Sequence, residues 1–237
     1  NVIIETNEAI YLKNEEKILS KGKSKATQQS IKITAENFEY NKILNIINAN
    51  QNVKIIDDDN EYVIFADNVN YFKNLEKILA EGNTKATLEN RYNFYSDDVI
   101  FLKNENILRS FSKSYVSDKN SKLYKFDEFE YNINLDLLKA KNIEIISENL
   151  LQNGFSDKAK FSEGMFKLNQ KEFIAGYTEF FVKKNTLGRE RNDPRLIGIS
   201  SSRKNEIIEV NKGAFTSCAK NDDCPPWTIK ADKIKHD

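Results

Sequence analysis

The chain has 237 residues, and its 36 Lys plus Arg balance 36 Asp plus Glu, leaving no formal net charge. That balance excludes duplex nucleic acid as the main partner, since binding it needs a net basic footprint. No run reaches the roughly 20 apolar residues of a membrane helix, and a hydrophobic share of 39% fits an extended sheet with much surface better than a compact globule.

Val2, Ile3 and Ile4 open the chain as a short apolar strand. They are the candidate exposed edge, because a terminal strand leaves unpaired N–H and C=O groups that another chain can use. An imperfect repeat follows. Its first half is an acidic and aromatic segment, seen at Thr6–Lys13, Ala35–Lys42, Ala66–Lys73, Ser96–Lys103 and Phe126–Ile133. The aromatic falls at Tyr11, Tyr40, Tyr71, Phe101 and Tyr131, at intervals of 29, 31, 30 and 30 residues. Asp157, Ala159 and Phe161 begin a sixth copy, and Ala231–His236 is a worn last one. Such a period predicts one supersecondary unit stacked many times, each copy burying its apolar face against its neighbours.

Within each copy the residues alternate at period two, as in Ile31, Ile33, Ala35 and in Tyr62, Ile64, Ala66. That is the pattern of a half-buried strand. The apolar phase then slips by one residue, between Ala35 and Phe38 and again between Ala66 and Val69. A slip inside a strand predicts a bulge or a sharp twist. A polar turn follows, such as Lys73 to Lys77, and then a second strand opened by an aliphatic pair: Ile18-Leu19, Ile46-Ile47, Ile78-Leu79, Ile107-Leu108, Leu137-Leu138. Lys73–Gly82 also reads as a short helix ending at a glycine. The alternation and the β-branched content favour strands. Thr186 to Arg203 breaks the pattern with Gly188, Gly198, Pro194 and several arginines, and marks a possible seam in a single domain spanning 1–237. All three prolines lie at Pro194 or beyond, so long uninterrupted pairing is open to the rest of the chain.

The fold class expected is therefore all-β: a repetitive antiparallel array of about a dozen or more short strands, too many for one flat sheet without curling. Two apolar columns recur: Phe38, Val69, Val99, Phe129 and Phe161 at one slot, and Ile33, Ile64 and Phe94 at another. Either column lines a lipid-accepting trough or fills a closed core.

Catalytic constellations are scarce, and neither a catalytic residue nor a cofactor is assigned. His236 occupies the aromatic slot of a repeat, which suits packing better than proton transfer. The recurring carboxylates Glu36, Asp67, Asp97, Asp127, Asp157 and Asp232 suit strand ends or bulges better than acid catalysis. Asp57-Asp58-Asp59 is acidic without the spacing of a calcium loop. Cys218 and Cys224 are too few for a structural zinc site. They are either unrelated thiols or, in an oxidising compartment, disulfide partners of each other or of residues elsewhere.

Asn211–Cys218, followed by Cys224–Asp237 with its Trp227-Thr228-Ile229-Lys230-Ala231 run, resembles the end of the periplasmic domain of the lipopolysaccharide-assembly (LptD) family. The Ala-Asp/Glu-x-apolar-x-Tyr repeat resembles the wider OstA-like group that includes the LptA carriers. The resemblance implies an OstA-like twisted β-jellyroll, open along one side, whose interior takes acyl chains of lipopolysaccharide. It implies a periplasmic place, attachment to the outer membrane through a C-terminal barrel outside this chain, and head-to-tail strand addition with an LptA-like carrier. It also implies an LptE-like lipoprotein partner acting through that barrel, and a disulfide set containing Cys218 and Cys224. On this reading the chain is a fragment of a longer protein. The contrasting expectation is a structural or carbohydrate-active β-solenoid.

Overall fold

The computed structural model describes residues 2–59, 61–89, 91–118, 123–146, 158–182, 192–218 and 227–236. By its contacts the chain divides into two compact units, Asn1–Val116 and Ser117–Asp237.

In the first unit the strands are β1 (Ile3–Glu5), β2 (Glu8–Leu12), β3 (Lys17–Lys21), β4 (Ser24–Gln28), β5 (Ile31–Ala35), β6 (Asn37–Asn41), β7 (Ile46–Asp57), β8 (Tyr62–Phe72), β9 (Lys77–Leu88), β10 (Tyr92–Leu102), β11 (Ile107–Ser110) and β12 (Ser114–Asp118), the last running just past the boundary. All the registered pairs are antiparallel. The long strands β7 to β10 form a meander, and each is bent near its middle. The register slips between Asn50 and Val53, between Phe65 and Asn68, and between Ser96 and Asp98. These are the sites where the apolar phase shifts, as the sequence predicts. Each long strand therefore has two limbs. One limb continues into β2, β3, β6 and β11, and the other into β1, β4, β5 and β12.

The chemistry of the bend repeats. Gly22 and Gly82 lie at φ of 77° and 78°, which non-glycine residues rarely adopt. The recurring carboxylates sit here. Asp67 accepts a hydrogen bond from the Asn83 amide at 2.8 Å, and Asp127 one from Asn142 at 2.7 Å. Asp67 and Asp127 are thus acceptors at the bend, for side-chain amides rather than for the backbone. Asp157 lies outside the described residues.

The polar turns joining the first limbs also repeat. Glu16, Asn45, Glu76, Asn106 and Asp136 all have positive φ, between 46° and 55°. Each turn is tied to the preceding one: the amides of Lys42, Lys73 and Lys103 donate to the carbonyls of Glu16, Asn45 and Glu76 at 3.0, 3.1 and 2.9 Å. The repeat tyrosines close the motif. Tyr40, Tyr71 and Tyr131 donate to the side chains of Asn45, Glu76 and Asp136 at 3.2, 3.2 and 2.9 Å. Lys73 to Leu75 forms a single short helical turn, after which β9 begins, so the helical alternative for Lys73–Gly82 does not hold.

The second unit is built alike from β13 (Leu123–Phe126), β14 (Glu128–Asn132), β15 (Leu137–Ile146), β16 (Lys158–Lys167), β17 (Glu172–Ala175), β18 (Thr178–Phe181), β19 (Arg195–Gly198), β20 (Ser200–Lys204), β21 (Ile207–Thr216) and β22 (Ile229–His236). Within the sequence seam, residues 183–191 lie outside the described residues, while β19 pairs with β18 and β21.

Candidate functional site

The inward residues form cross-strand rows that mix bulky side chains with alanines. On the first limb of unit one the row runs Phe38, Ala49, Val69, Ala80, Val99. On the second limb it runs Ala26, Ile33, Ile55, Ile64, Ala86, Phe94. All of these are buried. Mixed bulk lets facing layers interdigitate at interior density. The two columns marked in the sequence are thus the two limbs' contributions to one interior. Phe129 continues the first pattern in unit two, opposite Ala140. Phe161 does not. It pairs with Ile143 and Thr178, while the row from Phe129 and Ala140 passes through Gly164. Phe161 thus lies three residues before Gly164, beyond the break in pairing at Asn142, although it looks equivalent to Phe129 by spacing.

At the start of the first unit β2 pairs with β3 alone among the described strands, and Ile3, Ile10 and Tyr11 are 64%, 50% and 53% exposed. Tyr11 shares the inward face with Ile18 and Tyr40, so the inward row is uncovered at Tyr11. Ile10, Leu19 and Glu39 share the opposite, outward face, where a cavity of about 270 Å³ opens with Glu8, Lys21 and Asn50 at its polar border. Val2, Ile3 and Ile4 lie along this edge, and β1 pairs with β4 through Ile3 opposite Thr27 and Ile4 opposite Ala26. The sequence marks Val2, Ile3, Ile4 and Phe38 here, and Tyr11 as the aromatic of the first copy, but nothing in its spacing shows that Tyr11 is left uncovered.

The limbs also meet far from the bend. The Tyr62 ring, at the start of β8, stands edge-on to Phe101, near the end of β10, with centroids 4.6 Å apart. Beside them the fully buried Asp57 carboxylate lies 3.3 Å from Lys103 Nζ, which also approaches Glu76 at 3.9 Å. Asp57 accepts the Asp59 amide at 3.1 Å. The Tyr62 hydroxyl lies by the Asp57 carboxylate without meeting it in a well-formed hydrogen bond. Burial and then the Asp57 charge hold the Tyr62 phenol far above its ordinary range. Burial and then Glu76 do the same to Tyr71. The sequence treats Asp57 only as part of an acidic run. Its partner stands 46 residues away, and no local pattern marks it.

Cys218 is buried and its thiol is free, 3.8 Å from the Trp227 carbonyl oxygen. Cys224 lies outside the described residues. Among the described residues no group of three or more His, Cys, Asp or Glu side chains is placed to hold a metal ion, and no helix is long and apolar enough to cross a membrane.

No protein-family model matches the sequence, and no curated protein matches it. Among solved structures the chain is similar to the crystal structure of LptH, the LptA homologous periplasmic component of the conserved lipopolysaccharide transport device from Pseudomonas aeruginosa. The TM-score is 0.40 and the identity 13%, over 43% of this chain and 76% of that one.

Proposed function

We propose that the chain is an OstA-like periplasmic domain of LptD type that carries lipopolysaccharide without covalent chemistry. It takes the lipid part into its apolar interior and passes it from a soluble carrier toward the outer membrane. One observation carries this reading: an apolar interior between the two limbs of the first unit, uncovered at its first rung, where the inward Tyr11 is 53% exposed. The terminal motif from Asn211 onward supports it through its resemblance to the lipopolysaccharide-assembly family. Each buried CH₂ of an acyl chain contributes about 0.8 kcal/mol. A row of comparable apolar contacts therefore moves a chain along without any single deep trap. The exposed strands β1 and β2 at the start of the first unit suit strand addition by a carrier, which would align the two interiors end to end.

Photo-crosslinkers placed one at a time at Tyr11, Phe38, Phe94 and Phe129, with lipopolysaccharide supplied by a carrier, test this. Lipid adducts at Tyr11 and Phe38, and also at Phe94 and Phe129, are expected. Adducts only at outward positions such as Lys42 overturn it.

The burial of both rows, with Phe94 and Val99 at 0% exposure, favours a second reading, a structural array with a filled core. Absence of lipid adducts at every inward position, in a protein that stays folded, selects that reading.

A further inference from the structure

The closure opposite the bend departs from the repeat in a way that packing does not require. Asp57 belongs to the inward cross-strand row Ile31, Asp57, Tyr62, Leu88, Tyr92. Every neighbour on that row is buried and large, and Asp57 is its one carboxylate. Ile31 and Leu88 show that an aliphatic residue fits these rungs. The facing lysines differ too. Lys42 and Lys73 rest over the Tyr11 and Tyr40 rings at 5.8 and 5.2 Å. Lys103, the next in the series, turns instead to Asp57 at 3.3 Å. Replacing a buried ion pair by apolar residues of similar volume is often neutral or stabilising. A pair kept at a rung that an aliphatic side chain can fill therefore contributes something other than stability.

We propose that Asp57 and Lys103 form a charged latch over a lateral way into the interior of the first unit. Opening it parts Tyr62 from Phe101 and admits an acyl chain between the two limbs. The latch closes again because the carboxylate, once exposed, recovers its ammonium partner. This inference rests on the lipid-accepting reading of the interior, and it adds a side entrance to the uncovered end. The groups facing the latch are Glu76, from the turn beside Lys103, and Tyr62 and Tyr71. Glu76 lies close enough to Lys103 to hold the ammonium while Asp57 is released.

The test is loading of a dansyl-labelled fatty acid by the full chain, followed by stopped-flow fluorescence. In the double variant Asp57→Leu with Lys103→Met the closure becomes apolar and does not release. Loading is expected to slow by about tenfold or more, with thermal stability unchanged or raised. A second measurement needs no lipid. Hydrogen exchange on the unaltered protein should show the amides of Val63 to Phe65 and of Phe101 and Leu102 opening together, ahead of the rest of β8 and β10, and the double variant should suppress that opening. If the unaltered protein loads and the double variant loads equally fast, the latch is wrong and the uncovered end suffices. If the unaltered protein takes no fatty acid, the lipid reading falls and the latch falls with it. Exchange that spreads evenly over both strands also overturns the latch.

Discussion

Asp57 shows how one buried charge governs its surroundings. Removing one partner of a buried pair strands the other, which costs about 3–5 kcal/mol. Asp57→Ala is expected to destabilise the first unit by about 3 kcal/mol, read as a lower urea midpoint at unchanged slope. The double apolar variant should not show this loss, and the contrast separates the charge from the space it fills. The two tyrosines beside the pair give a pH signature with a definite sign. Their folded pKa values lie above the ordinary tyrosine value of 10.0. Below about pH 10 both folded and unfolded chains keep the phenolic protons, and the full stability is present. Above it the unfolded chain ionises first, so it binds fewer protons than the folded chain and stability falls as pH rises. Chemical denaturation between pH 9 and 11, values spanning the ordinary phenol range of about 10, should show this slope. Tyr62→Phe should flatten it.

The bent strand is the element on which the fold turns. At Gly82 the backbone has a φ of 78°, and an added Cβ would sit 2.5 Å from the Asp67 carboxylate that caps the bend. Gly82→Ala combines an unfavourable φ with that clash, so a loss of about 1–2 kcal/mol is expected in thermal unfolding. At the edge, Ile3→Pro should weaken capture of a carrier strand in a pull-down while the isolated domain stays folded. Unchanged capture would remove β1 from the partner surface. The bends were legible in the sequence because alternation is a local property: the slip from Ala66 to Val69 could be seen without knowing what Phe65 pairs with. The turn motif was legible only in part. Tyr40, Tyr71 and Tyr131 stood out by spacing. Their polar partners at Asn45, Glu76 and Asp136 are chemically unlike one another and are united by a left-handed backbone that composition does not display. Phe161 was misplaced for a related reason. Spacing counts residues, whereas the row is set by pairing: the residue in the row of Phe129 is Gly164, 35 positions on, where the earlier copies are 30 or 31 apart.

For the molecule as a whole, contacts run between neighbouring strands, so damage should stay local. Phe94 is 0% exposed in the second-limb row. Phe94→Ala is expected to cost about 3–5 kcal/mol. Hydrogen exchange should quicken in β8 to β10, while β15 and β16 of the other unit retain protection. Equal loss across both units would mean that the chain unfolds as one cooperative block. The closure between Asp57 and Lys103 could not be anticipated at this scale. It depends on how far the limbs fold toward each other, and that angle is written nowhere in a period-two pattern.

Each polar turn hands its carbonyl to the amide of the turn that comes next in the chain, at Glu16 to Lys42, Asn45 to Lys73 and Glu76 to Lys103. A newly made segment thus finds its docking place already laid down by the segment before it, and growth proceeds one way as the polypeptide emerges. Length becomes a free variable. A duplicated stretch such as 62–91 could be spliced in without inventing a single new type of contact, and gene duplication alone is enough to make the array longer.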